Sequence, residues 1–203
     1  REVRMAASEA GYYQMCVPEA LGGGGLGMQA YYAGWEALFH MCGPHNWLMV
    51  YAISHWAFGP SRLLEKVTDR ARDEMLEPLM SGRAGMCFGL SEPGAGSDAS
   101  MIRTRATPDG DGWVIEGRKI WTTNSPVADY CIVFAVTDPE RAKAKKGGIS
   151  AFLVPTDATG FECSGSSRCS VRSAATKRSF ASRVCASSPG SSSANCTKVS
   201  PPR

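Results

Sequence analysis

The sequence predicts an α+β fold, with an all-helical N-terminal domain followed by a small β-barrel-like domain. Apolar residues recur at helical spacing over residues 1–84. Over residues 85–161 they fall into short runs of β-branched and aromatic residues between turn residues. The helical segments precede the β-rich segments and do not alternate with them, which is typical of an α+β fold.

Three segments of the N-terminal part are predicted to be helical. Gln29–Met41 carries aromatic and apolar side chains on one face. Trp47–Phe58 is apolar on most sides, which indicates a buried helix. Arg62–Met80 is amphipathic, with Ser61 as a start signal and Gly82 as an end signal.

The second part is predicted to consist of strands. A hairpin is expected where Gly112–Glu116 and Lys119–Thr123 flank a turn at Gly117–Arg118. The other β-rich runs are Met86–Leu90, Ile102–Thr107, Asp129–Val136 and Ile149–Pro155.

Residues 162–203 differ from the rest of the chain. They hold 13 Ser, four of the eight Cys, and seven Lys or Arg against a single acidic residue. A segment of this composition buries too little apolar surface to offset its ordering entropy, so a disordered basic tail is one interpretation. Four scattered Cys favour a second interpretation, a frameshift: codons for Ala174–Pro202 can be chosen so that a shifted frame encodes a strand-like segment of ordinary composition. Sequencing the DNA decides between the two.

Composition excludes several classes of function. The net charge of +3 is too small to indicate a nucleic-acid partner. No apolar run approaches the roughly 20 residues that span a bilayer, and residues 1–10 lack the apolar region of a signal peptide. The three His have no metal-ligand spacing with Cys or carboxylates, so no metal site is predicted.

The segment Ser91–Asp98, SEPGAGSD, is the most informative motif. It follows a short apolar strand, and Gly94 and Gly96 permit close approach of the backbone to a ligand. Its amide groups can bind an anionic or carbonyl-rich ligand, and Ser91 and Ser97 can donate hydrogen bonds. From chemistry alone, an ordinary structural turn stays an equal alternative.

Two other segments carry weaker signals. Trp121–Asn124 ends the predicted hairpin, where an aromatic ring and hydroxyls could stack on a planar cofactor or could belong to the core. Gly22–Gly27, GGGGLG, formally satisfies the G-x-G-x-x-G pattern of dinucleotide-binding folds. That pattern has meaning only inside a βαβ unit, and none is predicted here.

Four segments in order resemble the acyl-CoA dehydrogenase family. They cover most of residues 10–161 and none of the tail, and their coincidence is more specific than any one of them. The segments are Val17–Glu19 with Gly22–Gly27, Phe88–Asp98 (FGLSEPGAGSD), Asp111–Asn124 (with GWVIEGRKIWTTN) and Gly147–Gly160 (GGISAFLVPTDATG).

The resemblance implies a three-part fold: a helical domain, a β domain and a C-terminal helical bundle that this chain lacks. In the family, FAD and an acyl-CoA thioester lie between the β domain and the bundle. A carboxylate of the bundle takes the α proton of the thioester and a hydride passes to the flavin, so the flavin supplies the redox chemistry. The expectation is thus a flavin-dependent acyl-CoA dehydrogenase fragment that is inactive alone.

The resemblance also implies site residues. Trp121 and Thr123 would contact the isoalloxazine ring of FAD. Ser97 would contact FAD and would also approach the CoA portion of the substrate. Two departures, Phe88 for a frequent Tyr and Ser91 for a frequent Thr, keep the chemical character. No catalytic residue is assigned, and Glu92 and Asp98 are interpreted as loop-forming. The implied FAD contacts are Phe88, Leu90, Ser91, Gly96, Ser97, Trp121, Thr122 and Thr123.

The implied partners are acyl-CoA, electron-transferring flavoprotein and, for the full-length family, further copies of the chain. The implied location is the cytoplasm in a bacterium, or the mitochondrial matrix or peroxisome in a eukaryote. Three alternatives remain: an acyl-CoA oxidase-like fragment, a nitroalkane oxidase-like fragment, and a non-enzymatic β-domain binding module. The acyl pocket of the family is lined by segments absent here, so no acyl chain length is predicted.

Overall fold

A computed structural model describes residues 1–43, 45–54, 59–110, 112–163, 168–171 and 184–185. Helices dominate the first part and strands the second. The α-helices are α1 (Glu2–Glu9), α2 (Met28–Cys42), α3 (Asp69–Met80) and α4 (Pro139–Lys143). Short 3₁₀ helices span Glu19–Leu21, Trp47–Tyr51, Arg62–Lys66 and Ala99–Met101. The strands are β1 (Met86–Gly89), β2 (Arg105–Asp109), β3 (Gly112–Ile120), β4 (Tyr130–Val136), β5 (Ile149–Pro155), β6 (Phe161–Cys163), β7 (Arg168–Val171) and β8 (Val184–Cys185).

The helical predictions hold in part. The predicted helix Gln29–Met41 is α2. The predicted helix Trp47–Phe58 is instead a 3₁₀ helix that ends at Tyr51, and residues 55–58 lie outside the described part. The predicted helix Arg62–Met80 is divided, because Thr68 accepts a hydrogen bond from the Ala71 amide and starts α3 as its N-cap.

The strands form one sheet in the order β6-β7-β3-β2-β4-β5-β8, with β1 paired to β4. β1 and β4 are parallel, with Met86 opposite Tyr130. β4 and β5 are antiparallel over their full length, with Tyr130 opposite Pro155. This arrangement places the end of β1 and the end of β3 near the same part of the sheet, since the Ile120 amide donates to the Ser91 carbonyl at 2.9 Å.

The predicted hairpin with a turn at Gly117–Arg118 is wrong. β3 runs unbroken from Gly112 to Ile120, and its hairpin partner is β2, with Asp109 opposite Gly112. The strand has a glycine at position 117 because the Thr104 side chain occupies the space that a side chain at this position would need. A Cβ at position 117 would stand 2.6 Å from the Thr104 Cβ.

One hydrophobic cluster joins the helical part to the sheet. Leu79 of α3 is fully buried together with Met86 of β1, Ile132 of β4 and Leu153 of β5. Burying such side chains stabilises the fold by about 1.5–3 kcal/mol each. The strand that leads into Ser91–Asp98 is therefore rigidly supported.

The α+β prediction, with helices first and a sheet domain second, is confirmed. The domain boundaries at 84/85 and 161/162 stay predictions. The tail prediction falls largely on residues outside the described part. Of the tail, the structure describes residues 162–163, 168–171 and 184–185, which belong to β6, β7 and β8.

The described helices include none that is both long and apolar enough to cross a membrane.

Candidate functional site

The Ser91–Asp98 segment leaves β1 through a tight turn. The Glu92 amide donates to the Ala95 carbonyl at 2.9 Å, and the Ala95 amide donates to the Glu92 carbonyl at 3.0 Å. Gly94 and Gly96 are exposed, have no left-handed φ, and would meet nothing within 4 Å if they carried a Cβ. Folding therefore does not require glycine at these positions, and the open backbone suits close approach of a ligand.

Glu92 anchors this turn from inside. Its side chain is 7% exposed and one carboxylate oxygen accepts from Lys119 Nζ at 2.7 Å. The same oxygen accepts from the Thr104 amide at 2.9 Å and from the Thr104 hydroxyl at 2.5 Å. The second oxygen accepts from the Arg103 amide at 2.6 Å. The carboxylate is thus saturated with donors, in agreement with its interpretation as loop-forming.

Burial and hydrogen bonding act in opposite directions on the pKa of each partner of this buried pair. Burial raises the pKa of Glu92, but hydrogen bonds from Lys119, Thr104 and two backbone amides outweigh it and lower the pKa overall. Burial lowers the pKa of Lys119, and the adjacent Glu92 carboxylate opposes that change. The Glu92 carboxylate is therefore committed to the loop, which leaves it unsuited to act as a catalytic base.

Trp121 forms the second part of the site, directly after β3. It has a left-handed φ of 57°, and the residue is 73% exposed. A large aromatic residue in this conformation is strained, and such strain often marks a functional position. The Thr123 amide donates to the Trp121 carbonyl at 2.9 Å, so the chain turns sharply here, and Thr123 is exposed as Trp121 is.

The residues after Trp121 tie the turn to the rest of the molecule. Asn124 also has a left-handed φ, of 73°, and its Nδ2 donates to the Met86 carbonyl at 3.1 Å. Its Oδ1 accepts from the Tyr51 hydroxyl at 3.4 Å, which links the turn to the helical part. The hydroxyls of Thr122 and Ser125 are buried and have no hydrogen-bond partner among the described residues.

Replacing Trp121 with glycine is expected to leave the free energy of unfolding unchanged or to raise it by up to about 1 kcal/mol. Glycine relieves the left-handed φ, and the exposed indole contributes little burial. Urea unfolding measures the effect. Trp113→Ala is the control, because Trp113 packs against Phe152 with ring centroids 5.4 Å apart and its loss should cost about 1–3 kcal/mol. A loss as large for Trp121→Gly would show that the indole supports the fold.

Asp98 ends the motif on the exposed side. Its carboxylate accepts from the Ser100 side chain and amide and pairs with Lys145 Nζ at 3.0 Å. These hydrogen bonds, first that of the Ser100 hydroxyl and then that of Lys145, lower the pKa of Asp98 to about 2. The interaction connects the motif to the basic loop that follows α4.

The lowered pKa of Asp98 predicts a pH-dependent contribution to stability. The contribution is fully present above the unfolded-state pKa of about 3.9 and is lost as the pH falls through the folded-state value of about 2. Unfolding of the wild type and Asp98→Asn should therefore differ most above pH 5 and converge towards pH 2. A difference that stays constant over this range would contradict the assignment.

The structure gives the predicted site residues different environments. The Ile120–Ser91 hydrogen bond brings the two segments together. Phe88 packs against Phe134 with ring centroids 4.9 Å apart, and Leu90 packs against a buried cluster. Thr122 is fully buried. The assignments of these residues to FAD, and of Ser97 to the substrate, stay predictions. Phe88, Leu90 and Ser91 are half-buried, whereas Gly96, Ser97, Trp121 and Thr123 are exposed.

Sequence reasoning missed Lys119, and a signal for it existed. Strand alternation from Ile115 places residues 117 and 119 on the same face as that buried residue. A lysine on a buried face requires an acidic partner, and Glu92 is the buried acid of the preceding motif. The predicted turn at Gly117–Arg118 broke the alternation and concealed this pair.

Comparisons with known proteins agree with the geometry. The family model for the acyl-CoA dehydrogenase N-terminal domain matches residues 1–83, and that for the middle domain matches residues 87–184. The chain belongs to the acyl-CoA dehydrogenase family. Acyl-CoA dehydrogenases are oxidoreductases. The matched middle domain contains both Ser91–Asp98 and Trp121–Thr123, so both parts of the site lie within one family domain.

Curated relatives of this acyl-CoA dehydrogenase family member are between two and three times as long as the matched part. The mitochondrial short-chain specific acyl-CoA dehydrogenase of Rattus norvegicus is 40% identical over 152 residues, which cover 75% of this chain and 35% of the relative. The 3-(aryl)acrylate reductase of Clostridium sporogenes is 32% identical over 160 residues, which cover 79% of this chain and 41% of the relative. The chain thus spans little more than a third of the length of these proteins.

Solved structures of family members share the fold. A steroid ACAD, Tcur3481-Tcur3483, superposes with a TM-score of 0.65 at 31% identity and covers 86% of this chain and 45% of that chain. A chain of the ChsE4-ChsE5 complex of Mycobacterium tuberculosis superposes with a TM-score of 0.66 at 28% identity, covering 85% of this chain and 45% of that chain. The helical and sheet parts are therefore arranged as in these family members.

Proposed function

We propose that the chain forms one wall of the FAD site of a flavin-dependent acyl-CoA dehydrogenase. The proposal rests on one observation: the Ser91–Ile120 hydrogen bond joins two segments that are both accessible to a ligand. One segment offers open backbone at Gly94 and Gly96, and the other offers the exposed, strained Trp121. Neither feature is required by the fold, and both suit a planar cofactor with a polar edge.

The residues present fit FAD by chemical type. Trp121 would stack on the isoalloxazine ring, and the exposed Thr123 hydroxyl would donate to its polar edge. Ser91 and Ser97 hydroxyls with the open Gly96 backbone would bind polar groups of the cofactor, and Ser97 also the CoA portion of a thioester. When bound, the flavin supplies the hydride-accepting chemistry, and these residues orient it and exclude water.

The reaction proposed for the whole protein is α,β-dehydrogenation of an acyl-CoA thioester. The family membership and the similarity to the Rattus norvegicus enzyme support it. No residue of this chain is proposed as the base, because Glu92 is committed to Lys119 and Asp98 to Lys145. We accordingly expect no turnover by this chain alone.

Two relatives support alternative reactions in the same site. The 3-(aryl)acrylate reductase of Clostridium sporogenes is named as a reductase. The prolyl acyl carrier protein oxidase AnaB has a TM-score of 0.51 at 28% identity, covers 55% of this chain and 32% of that chain, and is named as an oxidase. Both would use the same cofactor wall, so they differ from dehydrogenation in the direction of electron flow or in the acceptor.

The proposed partners rest on the family and on further relatives. Electron-transferring flavoprotein is proposed as the electron acceptor, which the name of the Caffeyl-CoA reductase-Etf complex subunit CarC of Acetobacterium woodii, 31% identical over 160 residues, supports. The ChsE4-ChsE5 complex supports assembly with further subunits, either copies of this chain or a related chain. The mitochondrial name of the Rattus norvegicus relative supports the mitochondrial matrix if the source is eukaryotic. The bacterial cytoplasm and the peroxisome stay predictions.

An FAD titration of the purified chain tests the cofactor proposal. We expect a chain that is colourless as purified, binds added FAD weakly and saturably, and loses it on gel filtration, because in the family other segments complete the pocket. FMN at the same concentrations is the control for binding through the flavin mononucleotide half of FAD alone. A chain that gives no saturable signal with FAD would contradict the proposed site, and tight stoichiometric FAD would contradict the predicted incompleteness.

A further inference from the structure

The two parts of the proposed flavin site lie on strands that are not paired with each other. Ser91–Asp98 continues β1, and Trp121–Thr123 continues β3. Among the described strands β1 pairs only with β4, whereas β3 pairs with β2 and β7. No strand ladder therefore sets the spacing between the two parts, and other contacts must do so.

Three hydrogen bonds reach from the end of β3 back to β1 and its exit. Lys119 Nζ donates to the Leu90 carbonyl at 3.1 Å, and the Ile120 amide donates to the Ser91 carbonyl at 2.9 Å. Asn124 Nδ2 donates to the Met86 carbonyl at 3.1 Å. Two of these donors are side chains, and they hold opposite ends of β1.

Lys119 is held in this position by burial and by the two oxygen atoms that accept from its ammonium. Its side chain is 1% exposed, and its ammonium also pairs with Glu92 at 2.7 Å. A Cβ at position 89 would stand 3.3 Å from Lys119 Cγ, so the lysine stem passes directly beneath the glycine of β1. Because an unpaired buried ammonium is costly, the side chain is confined to the one location where both acceptors are present.

We propose that Lys119 is a positioning residue of the cofactor site. Its ammonium bonds to both Leu90 and Glu92, and so holds the exit of β1 and the Ser91–Asp98 turn against the end of β3. This pair of interactions, the Lys119 clamp, fixes the distance from that turn to Trp121 and Thr123. The cofactor part of this inference rests on the proposed function. The clamp itself is a property of the chain without any ligand.

Amide hydrogen exchange tests the clamp without flavin. The double variant Lys119→Met/Glu92→Gln removes both charges and leaves no unpaired buried ion. We expect exchange of the Ala95 and Ile120 amides to accelerate at least about tenfold, because these amides bond across the turn and between the two parts. Amides of β4 and β5 should change by less than about threefold. Asp98→Asn/Lys145→Met, which removes the exposed pair of the same motif, is the matched control and should leave both reporter amides unchanged.

FAD affinity supplies the second readout. The charge-removing double variant should bind FAD at least about tenfold more weakly, a change of about 1.4 kcal/mol. Asp69→Asn/Arg72→Met, which removes an ion pair of α3 outside the site, is the control for this readout and should bind FAD as the wild type does. Unchanged exchange at Ala95 and Ile120 overturns the clamp whatever FAD does. Accelerated exchange with no FAD binding by the wild type keeps the clamp and overturns the proposed function. If the double variant does not fold, Glu92→Asp, which keeps both charges but shortens the carboxylate side chain by one methylene, is measured at the same two amides with the same criteria.

Discussion

Replacing Glu92 with alanine is expected to lower the free energy of unfolding by about 3–5 kcal/mol, the cost of removing one partner of a buried ion pair. The change leaves the Lys119 ammonium buried beside the Leu90 carbonyl alone. It also leaves the Arg103 and Thr104 amides without their acceptor. A loss of this size is a large fraction of the roughly 5–15 kcal/mol typical of a folded domain, so urea unfolding resolves it readily.

The same motif provides the control for Glu92. Asp98 also pairs with a lysine, but both side chains are more than half exposed. Water screens such a pair, and Asp98→Ala should therefore have a far smaller effect on urea unfolding than Glu92→Ala. Equal effects of the two substitutions would contradict the conclusion that burial of the Glu92–Lys119 pair decides the stability of this loop.

Replacing Gly117 with alanine is expected to cost about 1–3 kcal/mol through overpacking. The added Cβ would overlap the Thr104 side chain, approaching its Cβ to 2.6 Å. Thr104 is 1% exposed and cannot move outward without breaking its hydrogen bonds to Glu92. The steric conflict therefore extends to the buried ion pair.

Gly94→Ala is the matched control for this substitution. A Cβ at Gly94 would meet nothing within 4 Å, and its φ is not left-handed. Its unfolding free energy should stay within about 1 kcal/mol of the wild type, or rise slightly as the unfolded chain loses freedom. Urea unfolding of both variants decides the matter. A Gly117→Ala protein as stable as Gly94→Ala would show that Thr104 can repack.

The sequence predicted the order of helices and strands because periodicity reports directly on burial. α2 and the β4–β5 runs were found in this way, since their apolar patterns are long or dense. The break between Lys66 and Asp69 was missed because the apolar stripe continues across it, and only the Thr68 cap divides the segment. The apolar pattern predicts one continuous helix, whereas the N-cap residue starts a new one. The pattern alone does not show which of these two effects decides the structure.

The candidate site was predicted by motif, and its internal support was not. Ser91–Asp98 and Trp121–Asn124 stood out as unusual clusters of glycine, hydroxyl and aromatic residues. The reason for Gly117 lies in Thr104, which is 13 positions away and is brought opposite Gly117 by the adjoining β2–β3 pairing. In a sequence, a glycine that makes room for a neighbouring side chain looks the same as a glycine that forms a turn. The predicted turn therefore divided the strand at Gly117, and Lys119 was overlooked.

Amide chemical-shift mapping during an FAD titration is the sharpest test of the flavin site, because it locates the contact as well as detecting it. If the chain forms one wall of the flavin site, the perturbed amides will lie in Ser91–Ser97 and Trp121–Thr123. The Gly22–Gly27 loop, which also offers clustered glycines but precedes α2 without a strand before it, should stay unperturbed. Shifts confined to Gly22–Gly27, or no shifts at saturating FAD, would contradict the account.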